Sequence, residues 1–547
     1  MRLPKIQPTR LDRLIAYIAP VAGARRLAAR QYLALTGGSG GYTGARRDRR
    51  QTKEWLVKTG SPDADLLPDL PALRDRSRDL YRNAPLPRGA INTNVTSIVG
   101  TGLTVQARVN REFLGLSDER ADQWESDAER IFGLWSHSRD SDIRRTLCFA
   151  EQQDVVLRSA LLGGDVFAFK RFIERPGNPL GFCWQLVEGD RVSNPDFQAD
   201  GKELPNGGRL TGGVETDPDG APIAYHVANR HPGDIIMGQA GLEWRRVPVF
   251  AASGRRMVLH IGRFDRPEQT RGEPYLAPVI ETLKQLDQYR EAEILGAVVA
   301  AMFTVFVKAE GGQGLNVPAP PGQGRSEAER DEYKLGPGAI LDLDPDESIE
   351  IANPNRPNSQ FDPFVLAILR QIGVALEIPF ELLVKHFTAS YSAARAALLE
   401  AWRFFRVRRA WLAAAFCQPS YEEVISEAIA RGYLTAPGFF DDPFVRAAWL
   451  GAEWTGPAPG QIDPEKEVNA AEKRIAIGVS SIAHETAELT GRNWEAVHAQ
   501  RVKEKRRRVD DGLEPAVPAE LPGAAATPPR DRPDQPERGD REEADQE

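Results

Sequence analysis

Lys385-His-Phe-Thr-Ala-Ser-Tyr-Ser392 is a short polar stretch between two segments of helical periodicity, and the fold reads outward from it. Upstream, Phe361, Phe364, Val365, Ile368, Leu369 and Ile372 fall on one helical stripe, predicting a helix over residues 359–377. Pro379 ends that helix, because the residue before a proline is driven out of the α region. Downstream, a long helix runs from about residue 393 to 417. It mixes Trp402, Phe404, Phe405 and Trp411 with Arg395, Arg403, Arg406, Arg408 and Arg409. Aromatic packing with interface ion pairs outweighs phosphate contact as the reading of that mixture.

Further upstream, Leu276, Val279, Ile280, Leu283 and Leu286 share a stripe, predicting a long helix over residues 273–307. Between the two upstream helices, residues 311–326 are rich in Gly, Pro and Gln and read as a mobile loop. Residues 335–351 read as a small β element. Residues 68–100 are helical with a break at Pro85-Leu-Pro87, and Gly100-Thr-Gly102 stops them before a strand over 103–108. Residues 118–175 are mostly helical: Ser117-Asp-Glu-Arg opens one helix that carries Trp124, Ile131 and Trp135, residues 149–162 make a second, and Gly163-Gly-Asp165 turns the chain into a strand. Residues 182–265 alternate short strands with turns such as Asp217-Pro-Asp-Gly220. Residues 421–432 and 464–506 are again helical. The fold class is α+β, mainly helical.

The chain has 547 residues and a formal net charge of -8, with 41% hydrophobic and 27% charged residues. That composition belongs to a globular chain with more than one core. The charge is polarised. Residues 1–60 hold 13 Lys/Arg against 3 Asp/Glu (+10), and residues 509–547 hold 4 Arg against 12 Asp/Glu (-8), so residues 1–508 sum to zero. Residues 10–35 read as a broken amphipathic helix. Residues 36–50 form a glycine-rich basic linker rather than a phosphate cradle, because no Lys-Ser/Thr follows the glycines. From residue 513 the chain is rich in Pro, Ala and charge without an aromatic residue, which predicts disorder.

Three cysteines, Cys148, Cys183 and Cys417, are too few and too scattered for a disulfide framework or a zinc site, which fits a reducing compartment. The longest uncharged apolar run, residues 294–307, is too short to span a membrane. The basic N-terminus has a passing likeness to a signal peptide, but Asp12 and Pro20 interrupt it. The seven histidines have no metal-ligand spacing, and Asp342-Leu-Asp-Pro-Asp-Glu347 lacks the cation-loop glycine, so no metal or cofactor is expected. Ser390 and Ser392 lie near Lys385 and His386, but no third group orients them as nucleophile and base, and no catalytic residue is expected. Lys503-Glu-Lys-Arg-Arg-Arg508 reads as a solvated or inter-subunit helix face.

Several stretches, in order, resemble the lambda-type family of tailed-bacteriophage portal proteins. They begin with Leu73-Arg-Asp-Arg-Ser-Arg-Asp-Leu-Tyr-Arg-Asn-Ala-Pro85 and Ile98-Val-Gly-Thr-Gly102. Phe149-Ala-Glu-Gln-Gln153, Leu161-Leu-Gly-Gly-Asp165 and Gln185-Leu-Val-Glu-Gly-Asp-Arg191 follow, then Gly213-Val-Glu-Thr-Asp-Pro-Asp-Gly220, Ala224-Tyr225 and Leu335-Gly-Pro-Gly338. Tyr391-Ser-Ala-Ala-Arg-Ala-Ala-Leu-Leu-Glu400, Arg408-Arg409, Pro419, Tyr421, Trp454 before Gly456-Pro457, and Ile462-Asp-Pro-Glu-Lys-Glu467 complete the series. The family often has two serines after the tyrosine at 391, whereas Ala393 follows Ser392 here. Asp165 stands where Glu is usual.

The resemblance implies a portal fold with a wing, stem helices, a small α/β clip and a helical crown. It assigns residues 1–64 to a basic arm, 65–272 to the wing, 273–307 to a stem helix, 308–358 to the clip and 359–383 to a second stem helix. Residues 384–392 become a tunnel loop, 393–462 the long wing helix and wing completion, 463–510 the crown and 511–547 an acidic tail. It implies a homo-oligomeric ring, usually dodecameric, at one capsid vertex of a virion made in a bacterial cytoplasm. Its partners would be double-stranded DNA, the terminase large subunit, capsid protein and a head-completion or tail adaptor protein, with no membrane. Lys385, His386, Thr388, Ser390, Tyr391 and Ser392 are expected to face DNA, and Arg74, Arg78, Arg82 and Arg395 to pair between subunits. The rival readings are a DNA-processing enzyme and a non-ring capsid scaffold component.

Overall fold

The computed structural model describes residues 9–22, 24–26, 50, 54, 59–234, 241–301, 305–309, 347–351, 361–386, 391–460 and 463–513. They fall into two compact units: Met1–Ala84 with Ser159–Phe169 and Leu186–Gln285, and Pro85–Arg158 with Lys170–Gln185 and Leu286–Glu547. Helices and sheets occur together, as expected for an α+β chain.

In the first unit, strands Lys202–Glu203, Arg209–Thr211, Val214–Thr216, Pro222–Ala228 and Trp244–Pro248 form an antiparallel sheet in chain order. The Asp217 turn closes one hairpin: its carboxylate accepts the backbone N–H of Asp219 at 3.0 Å and of Ala221 at 2.7 Å. Inward-facing Val214 and Tyr225 join Phe167, Phe169, Val187, Val192, Val249 and Val258 in one apolar core. Burial of a large apolar side chain stabilises by about 1.5–3 kcal/mol, so this cluster supplies much of the unit's cohesion. Asp165–Phe172 pairs antiparallel with Val258–Gly262, with Asp165 opposite Gly262.

Asp165 opens that strand at 1% exposure. Its Oδ1 accepts from Arg74 Nη2 at 2.8 Å and Arg271 Nη2 at 2.9 Å. Its Oδ2 accepts from Arg271 Nε at 2.7 Å, His260 Nε2 at 3.1 Å and the Gly272 N–H at 3.1 Å. One carboxylate thus serves two guanidiniums, and backbone carbonyls take the remaining N–H groups. Arg74 donates to Gly163 O at 2.7 Å; Arg271 donates to Gly189 O at 2.6 Å and to Val192 O and Gly212 O at 2.7 Å each. Glycine makes the space. A Cβ on Gly164, whose φ is +87°, would stand 2.1 Å from Gly272 O, and one on Gly189 would stand 2.2 Å from Asp165 Oδ1.

The electrostatics follow from this packing. Burial alone would raise the Asp165 carboxyl, but the charges of Arg271 and Arg74 outweigh it and hold it well below the ordinary carboxylate range. Burial lowers Arg74 to about 10, although Asp165 opposes the shift. Burial would lower Arg271 too, but the Asp165 charge prevails and raises it. His260 lies flat on Phe167, ring centroids 4.2 Å apart, and burial lowers its pKa despite the bond to Asp165.

The second unit is built on helices. Phe132, Trp135, Phe149, Phe182, Trp184, Phe416 and Tyr421 form a chain of ring contacts with centroids 5.1–5.7 Å apart. The indole N–H groups are satisfied: Trp135 donates to Phe182 O at 2.8 Å and Trp184 to Ser420 Oγ at 2.9 Å. A buried Lys170–Glu423 ion pair, at 2.5 Å, lies in this unit. Thr104–Ala107 pairs antiparallel with Ala452–Thr455.

Three elements differ from the sequence reading. The helix expected over 273–307 is Ile280–Ala301, preceded by a 3₁₀ turn at Ala277–Val279, because Pro274 and Pro278 delay its start. Its expected C-terminal end is a strand, Val305–Ala309, paired with Glu347–Ile351; β-branched Val305 and Val307 favour that state. The long downstream helix begins at Tyr391 and passes through a π turn, Ala413–Cys417, directly into Gln418–Ala430. The widened turn accommodates Pro419, which has no N–H to donate. Residues 464–506, expected as helices, comprise Pro464–Ala476, Ile482–Thr490 and Trp494–Asp510, capped by Asp463, Ser481 and Asn493. The expectations for residues 36–49, 311–326, 335–346 and 514–547 lie outside the described residues.

Replacing Asp165 with Asn leaves two buried guanidiniums facing a neutral amide. Thermal or denaturant unfolding of Asp165→Asn is expected to show a loss of about 3–5 kcal/mol, the range for breaking a buried ion pair; an unchanged midpoint contradicts this. The depressed pKa values of His260 and Asp165 mean that the unfolded chain binds more protons as pH falls. The part of the stability that these two groups carry is complete above pH 6.5, the ordinary His value, and is lost below it, through His260 first and Asp165 at lower pH. His260→Gln should flatten the stability profile just below pH 6.5, leaving the slope of His226, which burial also lowers.

Candidate functional site

The polar stretch that opened the sequence reading begins at the end of a tightly packed turn. The Phe361–Ala375 helix buries Leu369, Ile372 and Gly373. Gly373 lies under the following turn: a Cβ there would stand 2.8 Å from Ile378 O. Glu377 takes φ 53°, and Pro379 starts the short Phe380–Val384 helix. Lys385 closes that helix with φ 56°, and the N–H groups of Lys385 and His386 both reach back to Glu381 O. The side chains of Lys385 and His386 are exposed. Phe380–Val384 and Tyr391–Leu412 both pack on the Pro85–Ile98 helix.

Of the six residues expected to line a channel, the structure thus places Lys385 and His386 together on an exposed turn. Thr388 and Ser390 lie outside the described residues. Tyr391 and Ser392 form the first turn of the Tyr391–Leu412 helix rather than a loop, and only their backbone is described.

The arginines of that helix are engaged within the chain. Arg406 pairs with Glu488, and Arg403 with Glu400 at 3.1 Å. Arg409 donates to Ser97 O at 3.0 Å and Pro457 O at 2.7 Å, and burial lowers its pKa. Arg408 lies 4.6 Å over the Phe404 ring and Arg409 5.4 Å over Trp402, while Phe405 is buried. Packing therefore accounts for the aromatic and basic mixture.

The four arginines expected between subunits divide. Arg74, at 4% exposure, is enclosed by its own chain and paired with Asp165. That corrects the expectation for Arg74: a cation already sealed against a buried carboxylate has no face to offer a neighbour. Arg78, one turn later, grips both oxygens of Asp190 and approaches Glu188 at 3.8 Å. Arg82, on the last turn of the Leu70–Asn83 helix, is exposed. Arg395 is half-buried with Glu467 at 4.0 Å.

Glu188, Asp190 and His231 bring their ligating atoms within 4.8 Å of one another, a grouping the sequence hides because His231 lies far from the other two. Arg78 already fills this position as the cation. Burial would raise Asp190, but its hydrogen bond to Arg78 and the charges of Arg74 and Arg78 keep it below the ordinary value. His231 Nδ1 accepts the Gly233 N–H at 3.0 Å, so the neutral ring carries its proton on Nε2, toward Glu188. An arginine-centred ion network, not a metal site, is what these residues fit.

The sequence profile described as phage portal protein, lambda family, matches residues 48–409. Portal protein B of Escherichia phage lambda is 25% identical over 509 residues, covering 89% of this chain and 92% of that protein. The portal protein of Escherichia phage N15 is 26% identical over 508 residues, with coverage of 89% and 92%. Among solved structures, a chain from the neck of a native GTA particle, computed with C12 symmetry, aligns with 76% of this chain and 92% of its own length, at 13% identity and a TM-score of 0.42. With a family profile covering well over half its length, the chain belongs to the lambda family of phage portal proteins.

Proposed function

We propose that copies of this portal protein close into a ring, a dodecamer, at one capsid vertex, and that double-stranded DNA enters and leaves the head through its axis. The terminase large subunit would drive packaging against the ring. Capsid protein and a head-completion or tail adaptor protein would dock on it. Membership of the family makes the chain a structural component of the virion's portal vertex rather than an enzyme. No helix among the described residues is long and apolar enough to cross a membrane.

The observation that carries the channel reading is the pair Lys385 and His386, exposed at a left-handed turn between the Phe361–Ala375 and Tyr391–Leu412 helices. A conduit must touch DNA without holding it, because each neutralised phosphate adds to a salt-dependent affinity. One lysine per subunit at the rim of the turn, with the arginines of the next helix engaged internally, meets that requirement. The wing, stem, clip, tunnel-loop and crown boundaries of the sequence reading belong to this proposal. Its inter-subunit cation is the exposed Arg82; Arg74, Arg78 and Arg395 have partners inside their own subunit.

In a packaging assay, Lys385→Ala combined with His386→Ala should leave assembly intact and reduce DNA packaging or retention several-fold. Unchanged packaging and retention would remove these residues from the channel. Gly373→Val forces a Cβ against Ile378 O beneath the same turn. It should lower stability by about 1–3 kcal/mol, the range for overpacking, and Gly373→Ala should cost less. Equal midpoints for both variants and the parent would show that the turn is not packed as described.

A further inference from the structure

The Trp494–Asp510 helix has no buried side chain. Its N-terminal half is anchored: Glu495 pairs with Arg108 at 3.1 Å, Trp494 stacks on His498 with centroids 4.8 Å apart, and the helix packs on Ile482–Thr490. Its C-terminal half is different. Arg501, Lys503, Lys505, Arg506, Arg507 and Arg508 are all exposed. At about 100° per residue these cations surround the helix instead of forming one stripe. The acidic residue among them, Glu504, accepts a 2.7 Å hydrogen bond from Gln500. Arg501 with Lys505, and Lys503 with Arg507, are like charges one turn apart, and each such pair disfavours the helix by a few tenths of a kcal/mol, roughly. The helix dipole offsets part of this near the C-terminus. Val502 and Val509 alone give this half an apolar side, and a helix with no buried face to stabilise it needs another source of support.

The sequence supplies a complementary charge directly after it. Residues 514–547 hold ten Asp/Glu and four Arg, a balance of -6. Eight of those ten acids lie in residues 531–547. A random-coil chain the length of residues 514–530 would reach roughly 25 Å on average, whereas the basic half-helix is only about 14 Å long. The acids are therefore within reach of all the cations. Tethering gives them a local concentration on the order of millimolar, which favours the chain's own segment over any free polyanion.

We propose that the acidic segment 514–547 docks on the basic C-terminal half of its own Trp494–Asp510 helix and shields it from other polyanions, nucleic acid phosphates above all. In this arrangement the tail removes a like-charge penalty from the helix and removes from the body of the protein a cluster that would otherwise capture DNA. The argument rests on charge placement within one chain and is independent of the channel reading.

Zero-length carbodiimide crosslinking of the full-length protein, mixed from ¹⁴N and ¹⁵N preparations, tests the contact. The expected products join Lys503 or Lys505 to acids of residues 531–547 within one isotope, at low salt. They should disappear at 1 M salt, where the screening length is about 3 Å. No such crosslinks, mixed-isotope crosslinks alone, or crosslinks indifferent to salt would overturn the proposal. Shielding has its own readout. A full-length variant with the eight acids of 531–547 changed to their amides should bind a random duplex at 50 mM salt on the order of tenfold or more tightly, with a steeper salt dependence. Adding Lys503→Gln, Lys505→Gln, Arg506→Gln and Arg507→Gln should abolish that gain. No gain from the amide variant, or a gain that survives the four glutamines, would overturn shielding.

Discussion

A single buried carboxylate, Asp165, stands between two buried guanidiniums, and the first unit of this portal protein is organised around satisfying all three. Two cations against one anion leave an excess charge, which oriented carbonyls and the nearby Asp190 carboxylate offset. Gly163, Gly189, Val192 and Gly212 supply those carbonyls from three separate segments. The helix carrying Arg74, the strand opening at Asp165, the loop at Gly189 and the hairpin at Gly212 are therefore fixed to one point. His260 completes the set as a neutral donor. A protonated ring there would add a third cation, so burial next to Arg74 and Arg271 keeps the proton off.

Such a centre also explains where side chains must be missing. Gly164 and Gly272 approach so closely that a Cβ on either would meet the other's carbonyl at 2.1 Å. Gly189 faces the carboxylate itself. The Leu161-Leu-Gly-Gly-Asp165 stretch, which contributed to the family resemblance as a string of letters, has a physical meaning in the structure: glycine for approach, carboxylate for charge. An aspartate here, where Glu is usual in the resemblance, sets the carboxylate one methylene closer to its own backbone. The close Gly189 packing leaves little room for a longer side chain.

Much of the architecture was legible because it depends on local pattern. The Phe361–Ala375 stripe, the Pro85 break, the Asp217 hairpin and the capped helices after residue 460 all carry their signals within a few residues. What was not legible depends on distance in sequence. Arg74, Arg78 and Arg82 lie four apart, and the ring implied by the family resemblance assigns all three to subunit contacts. The actual partners of Arg74 and Arg78 are 91 and 112 residues away, so no local rule separates them from Arg82. Periodicity likewise carried the Ile280–Ala301 helix too far, because an apolar Val-Phe-Val run suits a strand as readily as a buried helix. In the candidate channel segment, the polar composition was readable, but the left-handed turn at Lys385, which uses no glycine, and the helix start at Tyr391 were not.

We propose that this chain, of nearly balanced body charge, works as a ring with Lys385 and His386 facing the axis. Electron microscopy of the purified full-length protein tests this most directly. The account predicts closed rings with a central hole, and density for the turn after Phe380–Val384 at the wall of that hole. Monomers, open arrays, or rings with that turn on the outer rim would contradict it.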